Sequence, residues 1–332
     1  AAARAASSAL GAARGGQALV LESAEPEFSF DRDGHVESIT PVIQTESHVL
    51  IERLMVAANE QVAEFLDARK LATLYRIHER PEPSSVEHML AQLASLGVPT
   101  PTVPKGALSP QQAADIAGET SGMVADWVRR HDGRGATALN RIVLRALKQA
   151  AYEPENRGHS GLALHSYCHF TSPIRRYPDL ICHRALLSAV GGDEPAPEAS
   201  FVAAAGPDCS AREREAMVIE RDADDIARAF LLERRLFEVA SKATETPTFE
   251  GEIVGVIGAG AFVNFGPYEG MLRVRQLRDD WYDLNEEGTA LIGERGGAYR
   301  LGDRVEVAVA SIDAPRGRVD LVLGSSDGQG QT

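Results

Sequence analysis

HSYCHFTSPIRRYPDLICHRAL, residues His165 to Leu186, packs polar and aromatic groups densely into a chain that is otherwise ordinary. Arg175 and Arg176 follow a Ser-Pro turn, and Pro173 and Pro178 fix the backbone on either side of them. The two guanidinium groups are therefore held where a flexible loop would not hold them. Arginine stays charged and offers a planar fork to phosphate oxygens. Tyr167, His169, Phe170 and Tyr177 add stacking faces or ribose contacts. A rigid arginine among aromatics suits a pocket that stabilises charge building up on a transferring phosphate. The same residues equally fit a structural role, with a buried arginine pairing with Asp179 or Glu220 and holding helices together. The chemistry alone leaves both readings open.

The rest of the chain sets limits on any such site. Its 332 residues suffice for about two domains. With 34 Lys+Arg against 48 Asp+Glu, the net charge is −14. No general basic coat steers the protein to a polyanion, so a nucleic-acid partner must be held by a local patch. A 44% hydrophobic and 25% charged composition is that of a folded globular chain. Cys168, Cys182 and Cys209 are odd in number and lack framework spacing, which suits a reducing, cytoplasmic setting. No apolar run approaches the length of about 20 residues that crosses a bilayer, so no membrane partner is expected. The opening AAARAASSALGAARGGQALVL has no acid before Glu22. Arg4 and Arg14 give it a transit-peptide flavour, and an Ala-rich helix is the simpler reading.

Working outward, FSFDRDGHVESI (Phe28 to Ile39) alternates around Asp33-Gly34 as a β-hairpin. SHVLIERLMVAANEQVAEFLDARK then repeats apolar residues at helical spacing, with Ser47 placed to cap it. YRIHERPEPSS reads as a short strand broken by Pro81 and Pro83. Further helices are expected over Ser84 to Gly97, from Ser109 to Gly118, and near 136–151. Ser210 to Ala243, free of Pro and Gly, reads as one long helix that Pro247 ends.

Beyond that point the texture becomes β-rich. Strands near 249–256, 261–265, 270–274, 304–312 and 316–323, with a long insertion after the third, suggest a closed Greek-key barrel, the OB fold. The segment resembles the S-one-type RNA-binding OB domain in Phe249-Glu250-Gly251, Gly260-Ala261-Phe262-Val263, Glu269-Gly270 and Leu301-Gly302-Asp303. The resemblance implies that Phe262, with Phe249 or Tyr268, presents faces on which bases stack, and that Arg273 or Arg275 lies near phosphates. Phe262 and Phe265 fall on opposite faces of one strand, so only one of them is exposed. Gly258-Ala259-Gly260 mimics part of a dinucleotide loop, but a strand follows it where that fingerprint needs a helix.

The run HSGLALHSYCHFTSPIRRYPDLICHRAL closely resembles the signature of the ribonuclease II and ribonuclease R family of exoribonucleases. ESHVLIERLMVAANEQVAEFL, LYRIHERPEP, and CSARERE followed by IERDADD extend the match in both directions. The fold this implies is an α/β (α+β) RNB-type catalytic-domain fragment over residues 1–246, an all-β five-stranded OB barrel over 247–324, and a polar tail over 325–332. The activity it implies is 3′-to-5′ hydrolysis of single-stranded RNA to 5′-nucleoside monophosphates, with magnesium as cofactor. Carried over by residue, Arg175 is the catalytic arginine and Glu220 an acid close to the site. Tyr167, His169, Thr171, Ser172, Arg176 and Tyr177 line the RNA channel, and His78 and Phe262 are further RNA contacts.

The family's metal-binding aspartate cluster has no counterpart in this sequence. No metal ligand is therefore assigned, the magnesium ligands are expected outside the chain, and the N-terminal remainder of the same protein is an expected partner. A non-catalytic RNA-binding scaffold on the same fold is the alternative. Asp222-Ala223-Asp224-Asp225 has tempting spacing but lies in a helical pattern, with Arg221 and Arg228 placed to pair with Asp225 and Asp224. A zinc site from Cys168, His169, Cys182 and His183 lacks the short turns such sites use, and core packing of the cysteines is preferred.

Overall fold

The computed structural model describes residues 2–14, 25–241, 247–277 and 280–324; the polar tail and much of the expected domain junction lie outside them. Helix α1 (Ala2–Arg14) precedes the hairpin β1 (Pro26–Phe30) and β2 (Val36–Pro41). The Asp31 carboxylate shapes this turn by accepting the backbone N–H groups of Asp33 and His35. Helix α2 (Glu46–Ala68) starts from Thr45, not from the expected Ser47. Thr45 keeps extended backbone and donates its N–H to His48 Nδ1 at 3.2 Å, while Ser47 already lies inside the first turn.

Strand β3 (Tyr75–Ile77) leads into α3 (Pro83–Ser95), α4 (Pro110–Arg130) and α5 (Ala136–Ala146). Ser109 caps α4 by accepting the Gln112 N–H, and the helix runs past the expected stop at Gly118. The helix expected near 136–151 ends at Ala146. Residues beyond it turn into β4 (Ala151–Glu153), which pairs antiparallel with β3. Helices α3 to α5 share one apolar core of Val86, Leu93, Ala113, Val124, Ile142 and Val143.

Helix α6 (Tyr177–Ala189) precedes α7 (Ala199–Ala240), which begins well before the expected Ser210 and carries Gly206 and Pro207 inside it. A Cβ at Gly206 would come within 2.8 Å of the Tyr152 carbonyl, so glycine is what lets β4 lie against this helix. Ser210 completes the contact, accepting the Tyr152 N–H at 2.9 Å and donating to the Gly206 carbonyl.

The C-terminal barrel closes in the order β11 (Arg304–Asp313), β12 (Arg318–Leu323), β7 (Tyr268–Arg273), β6 (Gly260–Phe265) and β5 (Thr248–Ile257). These are the five expected strands. The insertion after β7 forms its own antiparallel sheet of β8 (Tyr282–Leu284), β9 (Ala290–Gly293) and β10 (Ala298–Arg300). Ile253, Val263, Phe265, Leu272 and Leu321 fill the barrel, and Leu232 of α7 joins them.

A polar seam fastens barrel to helices. Arg134 donates to the Gly302 carbonyl and to Asp303, and the Gly135 N–H at the start of α5 donates to Glu252 at 3.0 Å. Arg141 pairs with Glu269, and Ser95 shares a hydrogen bond with Thr289.

The turn between β5 and β6 holds the rejected Gly258-Ala259-Gly260 motif and explains its glycines. Gly260 has φ +150°, and a Cβ there would fall 2.2 Å from the Leu272 carbonyl oxygen. Nothing lies within 4 Å of a Cβ on Gly258. Gly260→Ala is expected to destabilise the protein by about 2–4 kcal/mol in denaturant unfolding, and Gly258→Ala by less than about 0.5 kcal/mol. Equal effects at the two positions would show that the close approach at Gly260 is not what the glycine provides.

Candidate nucleic-acid interface

Between β4 and α6 the chain is almost free of regular structure, so side chains and neighbouring strands must satisfy its backbone groups. Tyr167 gives its carbonyl to the Arg76 N–H of β3 at 2.9 Å. Asn59, buried on α2, accepts the Phe170 N–H at 3.0 Å through Oδ1 and donates to the Tyr167 hydroxyl through Nδ2. Asp179, in the first turn of α6 and wholly buried, accepts the Ser172 N–H at 2.7 Å. The same carboxylate takes two bonds from Arg176, Nε to Oδ2 and Nη2 to Oδ1, each 2.9 Å. The Ser172 carbonyl in turn accepts the N–H groups of Arg175 and Arg176. The arginine turn is thus a closed knot around one carboxylate.

Above this knot lies an open cleft of about 430 Å³. One wall is α2, with His48, Ile51, Glu52, Met55, Val56 and Asn59; the other is Tyr167, Thr171 and Arg176. An apolar wall facing a few fixed polar groups is the usual make-up of a ligand cleft. The Thr171 hydroxyl is buried and has no hydrogen-bond partner.

Behind the cleft runs a ladder of rings. Tyr167 meets His159 and His169 edge-on at 5.3 and 5.8 Å, and His169 Nδ1 bonds the Tyr152 hydroxyl at 2.8 Å. Burial, reinforced by Arg176 and Arg76, brings His169 down to about 3. Burial, then His78 and Arg76, does the same for His159. Both rings are therefore neutral at physiological pH. Arg76, whose role the sequence did not suggest, lies over the Tyr152 ring at 4.6 Å and pairs with Glu213 of α7 at 2.6 Å.

Of the residues singled out in the sequence, Tyr167, Thr171 and Arg176 share the cleft wall, with Ser172 and His169 directly behind or beside it. The two arginines, given different roles from the sequence, also differ in their surroundings. Arg176 spends one edge of its fork on Asp179, whereas Arg175 is exposed and has no ion pair among the described residues. Tyr177 is half exposed at the first turn of α6.

Glu220 does not line the cleft. It lies in the stretch of α7 from Arg214 to Ala223, where every residue is exposed, and its carboxylate has no ion pair among the described residues. The expected RNA contact at His78 is not borne out either. His78 is buried, with Nε2 donating to the Lys148 carbonyl at 2.7 Å and Nδ1 accepting the Gly161 N–H at 2.9 Å, so neither ring nitrogen is available to a ligand.

On the barrel, Phe262 is half-buried on the outer face of β6, opposite Gly255, while Phe265 points inward. Phe249 packs against the Phe265 ring, and Tyr268 is buried with its hydroxyl accepting from Arg235, so neither offers a free stacking face. Arg273 is paired with Asp320, and Arg275 is exposed.

The described residues do not fit a magnesium site at the cleft. Among them only Asp31, Asp33 and His35 bring three ligating atoms together, in the exposed hairpin turn where Asp31 already serves the backbone. Arg228 pairs with both Asp224 and Asp225, the charged-face reading of that motif, although Arg221 was expected to share the task. Cys168 and Cys182 are buried and donate to the carbonyls of Asn59 and Leu74, and His183 bonds the Phe170 carbonyl. The zinc reading has no geometry behind it.

The depressed histidines give a pH signature. Each binds a proton near pH 6.5 when unfolded but only near 3 when folded. Their contribution is complete above about 6.5 and is lost as pH falls toward 3, because the unfolded chain then binds more protons. Unfolding free energy is expected to drop by about 1–2 kcal/mol per histidine between pH 7 and pH 5, and His169→Gln to flatten part of that slope. An unchanged slope in His169→Gln would show that this ring is not held neutral.

Residues 2–192 match the model of the RNB domain, and residues 243–324 that of the S1 RNA binding domain. Ribonuclease R of Escherichia coli K12 is 34% identical over 330 residues, which span 95% of this chain and 38% of the relative. Ribonuclease R of Aquifex aeolicus is 36% identical over 90% of this chain and 40% of its own. The structure of Mycoplasma genitalium RNase R in complex with ribose methylated single-stranded RNA superposes with a TM-score of 0.83 at 25% identity, over 97% of this chain and 49% of that one. The chain thus spans less than half the length of these relatives. By these matches the protein belongs to the RNB domain family, with an S1 RNA binding domain following.

Proposed function

We propose that this chain forms the RNA-gripping part of a 3′-to-5′ exoribonuclease that hydrolyses single-stranded RNA to 5′-nucleoside monophosphates. The observation that carries the reading is the arginine turn. Arg175 is exposed, carries a fixed charge and is anchored through its backbone N–H to Ser172, beside a cleft with one apolar wall. A guanidinium so placed has its backbone already fixed and its charge free to meet a phosphate. Arg176 adds the cleft-facing remainder of a fork already oriented by Asp179. The apolar wall of Ile51, Met55 and Val56 suits a base or ribose face, and Phe262 on the barrel offers a second stacking surface.

Magnesium would activate the attacking water and stabilise the leaving oxygen in such a hydrolysis. Among the described residues no carboxylate cluster at the cleft offers its ligands, and the reading places them in a part of the protein outside this chain. A non-catalytic RNA-binding role on the same fold is favoured by one observation, that no carboxylate cluster lines the cleft among the described residues.

Two measurements test this reading. The 332-residue protein is expected to bind single-stranded RNA in chelator, and Arg175→Ala to lower the slope of log affinity against log salt by about 0.7. A chimera supplying the remaining length of a ribonuclease R relative is expected to release nucleoside monophosphates from the 3′ end. There Arg175→Ala should cut turnover about a hundredfold, well beyond its loss of affinity. A chimera that binds RNA and never cleaves it supports the scaffold. Hydrolysis by the 332-residue protein alone would overturn the placement of the metal ligands.

A further inference from the structure

Two buried polar side chains, on different helices, grip consecutive parts of one short loop. Asn59 of α2 takes the N–H of Phe170 at 3.0 Å, and Asp179 of α6 takes the N–H of Ser172 at 2.7 Å. Neither is needed to satisfy a helix in mid-span. Asn59 is 3% exposed on a face otherwise committed to Ala63 and Leu66, and Asp179 is 0% exposed. A buried carboxylate and a buried carboxamide are costly places to spend side chains unless what they fix matters.

The residue between the two grips is Thr171. Its backbone neighbours are pinned on both sides, and its hydroxyl is buried and has no partner among the described residues; Ser166 Oγ, the other such atom between β4 and α6, does not line the cleft, whereas Thr171 does. Native structures satisfy nearly all such atoms, so an orphan beside an open cleft points to a ligand atom as its partner. A hydroxyl both donates and accepts, which matches a ribose hydroxyl or a phosphate oxygen equally well.

We propose that Asn59 and Asp179 are positioning residues that together hold the Thr171 hydroxyl, and through Ser172 the Arg175 backbone, in register with bound RNA. This rests on the reading of the cleft as an RNA site and assigns the two residues that set its geometry. Asp179 has a second task, since its bidentate bond turns one edge of Arg176 inward. The loop is positioned from α2 and α6, so its shape does not depend on RNA arriving.

The test is a double-mutant cycle on affinity for a labelled single-stranded oligoribonucleotide, measured with the 332-residue protein in chelator. Thr171→Val removes only the orphan hydroxyl and is expected to weaken binding about fivefold while leaving the melting temperature unchanged or raised. In Asp179→Asn, and separately in Asn59→Ser, the same substitution is expected to cost almost nothing, because the hydroxyl is already out of register. Losses that simply add would assign Asn59 and Asp179 to the fold alone and overturn the proposal. Should Asp179→Asn fail to fold, the Asn59→Ser cycle decides. Should both fail, Thr171→Val decides by itself, an unchanged affinity being fatal. A wild-type protein that leaves the RNA unbound overturns the RNA reading itself, whereas binding with additive losses overturns only the positioning roles.

Discussion

The Asp179 carboxylate has no contact with solvent, and its two oxygens accept three N–H groups, one from Ser172 and two from Arg176. Taking such a group out of water costs several kcal/mol, and only charge-assisted bonds of good geometry offset that cost. Position helps as well, because Asp179 lies in the first turn of α6, where the helix N-terminus favours a negative charge. The arrangement contributes little net stability compared with an apolar plug, but it admits only one conformation of residues 172 to 176. The remainder of the loop inherits that constraint: Ser172 anchors the arginine N–H groups, Phe170 is held by Asn59, and Tyr167 is tied to β3.

The arginine turn also shows how an acidic protein makes a local positive site. Arginines near it are matched by acids, Arg76 by Glu213 and Arg176 by Asp179. Matched charges orient side chains and leave the field near neutral. Arg175 is left without such a match among the described residues, so the local excess sits on one exposed guanidinium. A net charge of −14 on the whole chain then opposes indiscriminate binding to polyanions and leaves attraction to the few places where the surface is unbalanced.

Periodicity and turn chemistry made much of the fold legible. The hairpin at Asp33-Gly34, the amphipathic α2 and the five barrel strands all follow from patterns a few residues long. The failures share a physical cause. Helix α7 passes through Gly206 and Pro207 because tertiary contact with β4 compensates two poor helix formers, and no local rule contains that contact. The end of α5 was missed because β4 is defined by its pairing with β3, far away in sequence. At the site, arginines and aromatics stood out by type, but Asn59 and Arg76 did not. A single Asn within an otherwise apolar helical face was the available signal for Asn59, and its meaning lay in a loop more than a hundred residues away. His78 was over-read for the converse reason, since a polar residue in a strand-like segment looks available until its main-chain partners are known.

Keeping His159 and His169 neutral has a consequence for how the site meets a polyanion. A protonated imidazole beside Arg76 and Arg176 would add charge, but burial and those same guanidinium groups push its protonation down to about pH 3. The positive character of the turn therefore comes from arginine alone, whose charge is constant across the physiological range. The imidazoles act as rigid, uncharged packing between Tyr152, Tyr167 and the loop backbone. Such a site forgoes extra charge for a fixed geometry, and under the proposed RNA-binding role its attraction to phosphate would not follow the pH of the surroundings. Asp179 sharpens the same trade: it cancels one arginine in order to aim the backbone that carries the other.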